Sequence, residues 1–172
     1  MDNLARELIH AARAERLFCA ESCTGGRIGA TLAGVPGASA CWIGGVVTYS
    51  DEMKTALLGV DAAGLAEHGA VSRHTALAML AEVDRRFGAT LACAVTGIAG
   101  PGGGREGKPV GTVFIACRHR ERFWVRRFAF PPGRERVLAL ATHAALLALH
   151  DLCVTGAPFG FEPVSQEEPH GR

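Results

Sequence analysis

Apolar and polar positions alternate along the chain with periods that change several times, and each change marks an element boundary. Residues 3–15 place Leu4, Leu8, Ala11 and Ala12 on one helical face, with Asp2 or Asn3 as the cap. Residues 16–21 form a short apolar run that reads as a buried strand, followed by Ser22-Cys23-Thr24-Gly25-Gly26 and a second helical spacing at Ile28 and Leu32. Val35-Pro36-Gly37 ends that helix. A second strand is predicted over 41–49 and a helix start at Ser50-Asp51-Glu52, with Lys54 in its first turn. Asp61 caps a short helix ending near His68-Gly69, and Ser72 caps a longer one over 73–87. Further strands are predicted at 90–96, 110–117 and 122–129, the last two joined by a hairpin turn at 118–121. Val137, Leu140, Ala141, Ala144, Ala145 and Ala148 form the buried stripe of a final helix.

Strands alternate with helices over most of the length, which predicts an α/β domain: a three-layer α/β/α sandwich with a mixed, mostly parallel sheet. The 172 residues fit one domain over 1–154, followed by a flexible tail over 155–172 that is rich in Pro, Gly and Glu. Lys and Arg total 18 against 17 acidic residues, so the balance offers no argument for a nucleic-acid or membrane partner. The arginines clustered between 118 and 136 read as a solvated strand pair and turn. No stretch reads as long and apolar enough to span a bilayer, and the charged N-terminus lacks the apolar centre of a signal peptide, so a cytoplasmic location is expected. The six cysteines then read as reduced thiols, with Cys41, Cys93 and Cys117 as small core residues. Cys19 and Cys23 have no partners at zinc spacing, and neither a metal nor a cofactor is expected.

Three polar or glycine-rich segments fall where strands end, the usual place for ligands in open α/β sheets. They are 22–26, 48–54 and 96–104. A serine on a tight turn entering a helix has unpaired backbone N–H groups beside it, suited to an oxyanion or a phosphate. Ser22 alone reads more readily as a helix cap. A nucleophilic serine needs a base, and none of the seven histidines lies in these segments. His68 and His74 flank a short connection, His143 and His150 lie on the last helix, and all four read as surface or helix-face residues. Lys54 and Lys108 are the chain's two lysines; a lysine can give up its proton and an arginine cannot, which favours Lys54 over the surrounding cations as a base. The 97–104 loop reads either as a backbone cradle or as a merely flexible connection.

Taken together, 20–26 (AESCTGG), 47–54 (VTYSDEMK), 69–72 (GAVS), 95–103 (VTGIAGPGG) and 108–113 (KPVGTV) resemble the signature of the CinA C-terminal domain family, over about residues 3–150. Some members of that family are stand-alone nicotinamide mononucleotide deamidases, and others are fused behind a further domain. The stand-alone form is the one this chain resembles. The resemblance implies hydrolysis of the carboxamide of nicotinamide mononucleotide to nicotinate mononucleotide and ammonia. It implies Ser22 as nucleophile, Lys54 as base and Tyr49 beside them. Thr24, Gly25, Gly26, Thr96, Gly97, Ala99, Gly100 and Arg134 are the residues expected to contact substrate. The family's segment before the last helix reads Gly-Asp-Arg with a second arginine soon after. Here it is Gly133-Arg134-Glu135-Arg136-Val137-Leu138, with no aspartate and with Leu138 in place of the second arginine. Arg134 and Arg136 are the cations available for an anion.

The mechanism expected from this set is attack by Ser22 with Lys54 as base, the oxyanion held by amides at Gly25-Gly26 or in the 97–104 loop. Cys23 is the rival nucleophile. A module of the same fold that binds the nucleotide without cleaving it is the competing expectation, and an amidohydrolase for another carboxamide is a third. A symmetric homodimer is the default expectation for a small enzyme of this kind.

Overall fold

The structure, a computed structural model, describes residues 2–165. Its elements are α1 (Asp2–Ala11), β1 (Leu17–Glu21), α2 (Arg27–Ala33), β2 (Trp42–Val47), α3 (Asp51–Met53), α4 (Ala62–His68), α5 (Arg73–Phe87), β3 (Leu91–Gly97), β4 (Thr112–His119), β5 (Arg122–Ala129), α6 (Arg134–Val154) and β6 (Glu162–Val164). A π-helical turn, Lys54–Leu58, continues α3. The strands form one sheet in the order β2-β1-β3-β4-β5-β6.

Side-chain alternation along the strands explains the layers. Leu17, Cys19, Cys93, Val95, Ile115 and Cys117 face one way and pack with Leu8, Ile28, Leu32, Ala141 and Leu146 of α1, α2 and α6. Phe18, Ala20, Ala92, Ala94, Phe114 and Ala116 face the other way, against Leu58, Leu65, Ala76, Met79, Leu80 and Val83 of the π turn, α4 and α5. The result is the expected three-layer α/β/α fold. β1 is buried at all five positions because it has a helical layer on each face and a strand on each side. Each fully buried leucine or isoleucine here contributes roughly 2 kcal/mol of burial.

The sheet is mixed, but the expectation that it is mostly parallel does not hold. β1 pairs in parallel with β2 and β3, whereas β3–β4, β4–β5 and β5–β6 are antiparallel. The 98–111 connection contains no helix, so β4 returns directly alongside β3. The tail expectation is also corrected in part: Glu162–Val164 pairs with Val125, Trp124 and Phe123 as the edge strand β6. Residues 166–172 of that tail lie outside the described residues. Helix α1 ends at Ala11 rather than 15, where Glu15 turns back to bond Thr90 and His119.

The arginine cluster is only partly solvated. Arg118 is buried and paired with Asp84, and Arg122 and Arg126 lie over the Trp124 and Phe128 rings at 4.9 and 4.6 Å. Among the described residues one helix, α6, is long and apolar enough by length and composition to cross a membrane, contrary to the sequence reading. Its apolar length is explained by packing: Val137, Ala141, Ala145, Leu146 and Leu149 are fully buried within the fold.

Candidate active site

The parallel strands β2, β1 and β3 all deliver their C-terminal ends to one edge of the sheet. At that edge the Ser22 amide donates to the Val95 carbonyl at 2.9 Å, and the Thr48 amide donates to the Glu21 carbonyl at 2.7 Å. These two bonds place the three polar segments side by side. The sequence therefore predicts the convergence correctly.

Ser22 follows β1 directly and is 6% exposed. The next residues turn through left-handed conformations at Gly25 (φ 61°) and Gly26 (φ 94°), which glycine adopts without steric cost. The amides of this turn are not free for a ligand, which corrects the expected oxyanion donors. Gly25 N–H donates to the Ser22 carbonyl at 3.1 Å. Gly26 N–H donates to the Glu21 carboxylate, as do Ile28 and Gly29, at 3.0, 3.1 and 2.8 Å. Glu21 is itself 2% exposed and fills the N-terminus of α2 as a built-in anion. Its role was missed in the sequence. The available signal was a carboxylate at the end of an otherwise apolar strand.

Lys54 is 1% exposed. Ser50 caps α3 by accepting from the Met53 amide, and the π turn then swings Lys54 inward. Its ammonium donates to Asp51 Oδ1 at 3.3 Å and to the Ser50 carbonyl at 3.5 Å. A wholly buried lysine with a half-exposed acidic partner is unusual for a structural residue. The Cys23 thiol lies within the electrostatic field of both Lys54 and Arg134.

Tyr49 and Arg134 join the remaining segments. Arg134, the first residue of α6, donates Nη2 to the Tyr49 hydroxyl and Nη1 to the Gly100 carbonyl, both at 2.8 Å. The bond to Tyr49 lifts the Arg134 guanidinium further above its usual value. Arg136 and Leu138 make no such contact; Leu138 points into the core. Tyr49→Phe removes one anchor of Arg134, and we expect a roughly tenfold fall in kcat/KM with an unchanged melting temperature. Steady-state ammonia release and a thermal melt check both.

The other expected contacts divide. The Thr24 hydroxyl is buried without a partner among the described residues, as is that of Thr48. Such groups cost free energy until something pairs with them. The Thr96 hydroxyl is instead spent on the Ala70 carbonyl at 2.7 Å, which ties the 69–72 connection to β3. Gly97 is required for packing rather than for a ligand: a Cβ there would meet Val113 at 2.7 Å and the Thr112 carbonyl at 2.9 Å. Ala99 is buried and packs into the core. Gly100 serves through its carbonyl, as the acceptor for Arg134.

Cys23 is a poor nucleophile. Burial pushes its thiol up to about 12; the Glu21 charge adds to the rise, while Lys54 and the amides of Cys23 and Thr24 oppose it. Because the thiolate forms only as pH approaches that value, alkylation of Cys23 should be negligible at pH 8 and should climb only above about pH 11. Mass-spectrometric mapping of iodoacetamide adducts checks this, and rapid labelling of Cys23 at pH 8 would contradict it.

The CinA C-terminal domain family matches residues 2–153. The chain belongs to that family. A CinA-like protein of Synechococcus sp. (strain CC9902) is 48% identical over 134 residues, 77% of this chain and 32% of that protein. A CinA-like protein of Mycobacterium marinum is 48% identical over 141 residues, covering 79% and 33% of the two chains. The chain thus spans about a third of the length of these curated relatives. A CinA superfamily protein from Klebsiella pneumoniae superposes with a TM-score of 0.85 at 38% identity, covering 90% of this chain and 98% of that one. The competence/damage inducible protein CihA of Agrobacterium tumefaciens gives 0.81 at 40% identity, covering 84% and 90%.

Proposed function

We propose that this CinA-family chain is an amidohydrolase that converts nicotinamide mononucleotide to nicotinate mononucleotide and ammonia. The observation that carries the reading is Lys54: a completely buried lysine, held by Asp51 and the Ser50 carbonyl, on the segment whose Thr48 amide bonds the residue before Ser22. A lysine in that position supplies the base that a serine nucleophile requires. The unpartnered Thr24 and Thr48 hydroxyls add polar groups in want of a ligand at the same edge.

In the reaction Lys54, as the free amine, takes the proton from Ser22 Oγ while Oγ attacks the carboxamide carbon. The C=O electron pair moves to oxygen. The positive pyridinium ring of the substrate withdraws charge from that carbon and eases the attack. Lys54 then returns its proton to the departing nitrogen, the C–N bond breaks, and ammonia leaves. Water adds to the acyl-serine with Lys54 again as base, which releases the nicotinate carboxylate and restores Ser22. Arg134, fixed by Tyr49 and Gly100, presents a cation at the rim.

The test is ammonia release from nicotinamide mononucleotide by the purified chain with a metal chelator present, alongside a panel of other carboxamides. Release from the mononucleotide that disappears in Ser22→Ala supports the reading. Tight binding of the mononucleotide without release would favour a silent binding module.

A further inference from the structure

A second cleft lies on the α4/α5 side of the sheet. It has a volume of about 390 Å³ and is lined by His68, Ser72, Arg73, His74, Lys108 and Phe114, among others. None of the amidase chemistry above uses these side chains.

Cationic and N–H-bearing groups converge here from three parts of the chain. His68 ends α4 and His74 lies in the first turn of α5, their rings 4.2 Å apart and tilted by 36°. The His74 Nδ1 is buried with no partner among the described residues. Lys108 closes a tight turn in which Arg105 and Lys108 exchange both backbone bonds, at 3.0 and 2.9 Å. That turn is clamped on both sides: Arg127 donates to the Gly107 carbonyl, and Lys108 Nζ donates to the His68 carbonyl at 3.2 Å. The Arg105 guanidinium lies beside Gly69.

The carboxylates nearby pair with the arginine and histidine side of the cleft and leave its lysine side without one. Glu162 pairs with Arg73 at 3.4 Å, Glu67 lies 3.9 Å from His68, and Asp61 is the N-cap of α4. Among the described residues Lys108, Arg105 and Arg127 have no ion pair to a carboxylate. The effect shows in the lysine, whose ionisation is pushed down first by burial and then by Arg105 and Arg127. His74 is likewise pushed down, by burial first and then by His68, with Glu67 and Asp61 opposing. Positive charge gathered in a cleft in excess of its paired carboxylates raises the local concentration of anions.

We infer that this cleft binds a phosphate-type anion, with Lys108 and the His68/His74 pair as its donors. Lysine and imidazole present N–H donors on several sides, as a tetrahedral oxyanion requires. The volume exceeds that of a bare phosphate, and the Phe114 wall leaves room for an organic substituent. The cleft adjoins the amidase edge, because Ser72 belongs to the connection that Thr96 ties to β3. Two sources share this chemistry: the substrate's own phosphate and a separate phosphate ester.

The experiment is NMR of the His68 and His74 ring signals during titration with inorganic phosphate. The signals should move in the parent protein. Phosphate affinity should fall about tenfold in Lys108→Met and in His74→Phe, while exposed Arg85→Gln binds as the parent. Nicotinamide mononucleotide and nicotinamide riboside then separate the sources. If the occupant is the substrate's phosphate, the mononucleotide displaces inorganic phosphate, and Lys108→Met raises KM for the mononucleotide but not for the riboside. If it is a separate ester, the histidine signals still respond to phosphate under saturating mononucleotide. Either result supports the cleft. Histidine signals that stay still up to about 50 mM phosphate, or equal affinity in the parent, Lys108→Met and His74→Phe, would overturn it. The phosphate titration needs no turnover, so it stands apart from failure of the amidase reading.

Discussion

Replacement of Lys54 by methionine is expected to abolish ammonia release while the fold keeps its stability. The side chain is 1% exposed, and methionine fills much the same volume without a charge. Breaking a buried ion pair is costly when it strands a buried charge. Here the partner left behind is Asp51, whose side chain is 57% exposed and remains hydrated. The structural loss is therefore small, and removal of a buried ammonium from the interior offsets part of it. The chemical loss is large. Without the amine, Ser22 has no proton acceptor and the departing nitrogen no donor; general acid–base groups of this kind are worth about 10²–10⁴-fold. We expect kcat to fall by about 10³-fold or more, with a melting temperature within a few degrees of the parent. Full turnover in this variant would remove Lys54 from the mechanism.

Glu21→Ala should do the reverse and damage the scaffold first. Its carboxylate accepts three backbone N–H groups at the start of α2, at 3.0, 3.1 and 2.8 Å, from a position 2% exposed. Deletion leaves three donors without acceptors, each costing about 1–3 kcal/mol unless the helix end frays to reach water. A loss of about 4 kcal/mol corresponds to roughly 10 °C in melting temperature for a domain of this size. Glu21→Gln keeps one acceptor oxygen but turns an NH₂ toward a donor, so an intermediate loss of about 2 kcal/mol is expected. Thermal denaturation of the two variants checks the order. A melting temperature unchanged in Glu21→Ala would show that α2 does not depend on this carboxylate.

The layers of the fold were legible because they depend on period. The 3.6-residue spacing in 73–87 and the apolar runs at 17–21 and 91–96 follow from burying one helical face or both faces of a strand, and both signals are local. Sheet direction was not legible, since it depends on whether 98–111 crosses the sheet, and glycine and proline give that segment no periodic signature. Burial of Arg118 likewise depends on Asp84, which is distant in sequence and adjacent only once α5 packs on β4. At the site, the meeting of the 22–26, 48–54 and 96–104 segments at one sheet edge could be read from where the strands end. The occupied amides of Gly25 and Gly26 could not, because their acceptors are a side chain and a carbonyl set by the turn's own geometry. Thr96 and Gly97 show the same limit. Polar or small residues at strand ends look alike in sequence whether they stay without a partner, as the Thr24 hydroxyl does among the described residues, or bond a neighbouring segment, as Thr96 does.

The pairing of β1 with β3 carries a consequence for how the molecule matures. The turn that bears Ser22 hangs from Val95, more than seventy residues later in the chain, whereas β4 and β5 are sequence neighbours joined by a short hairpin. Contacts between distant segments close late and slowly, and local hairpins close early. A partly folded chain therefore holds its hairpin before the Ser22 turn is anchored on β3. The Ser22 turn thus takes its final position together with the completed interior of the sheet.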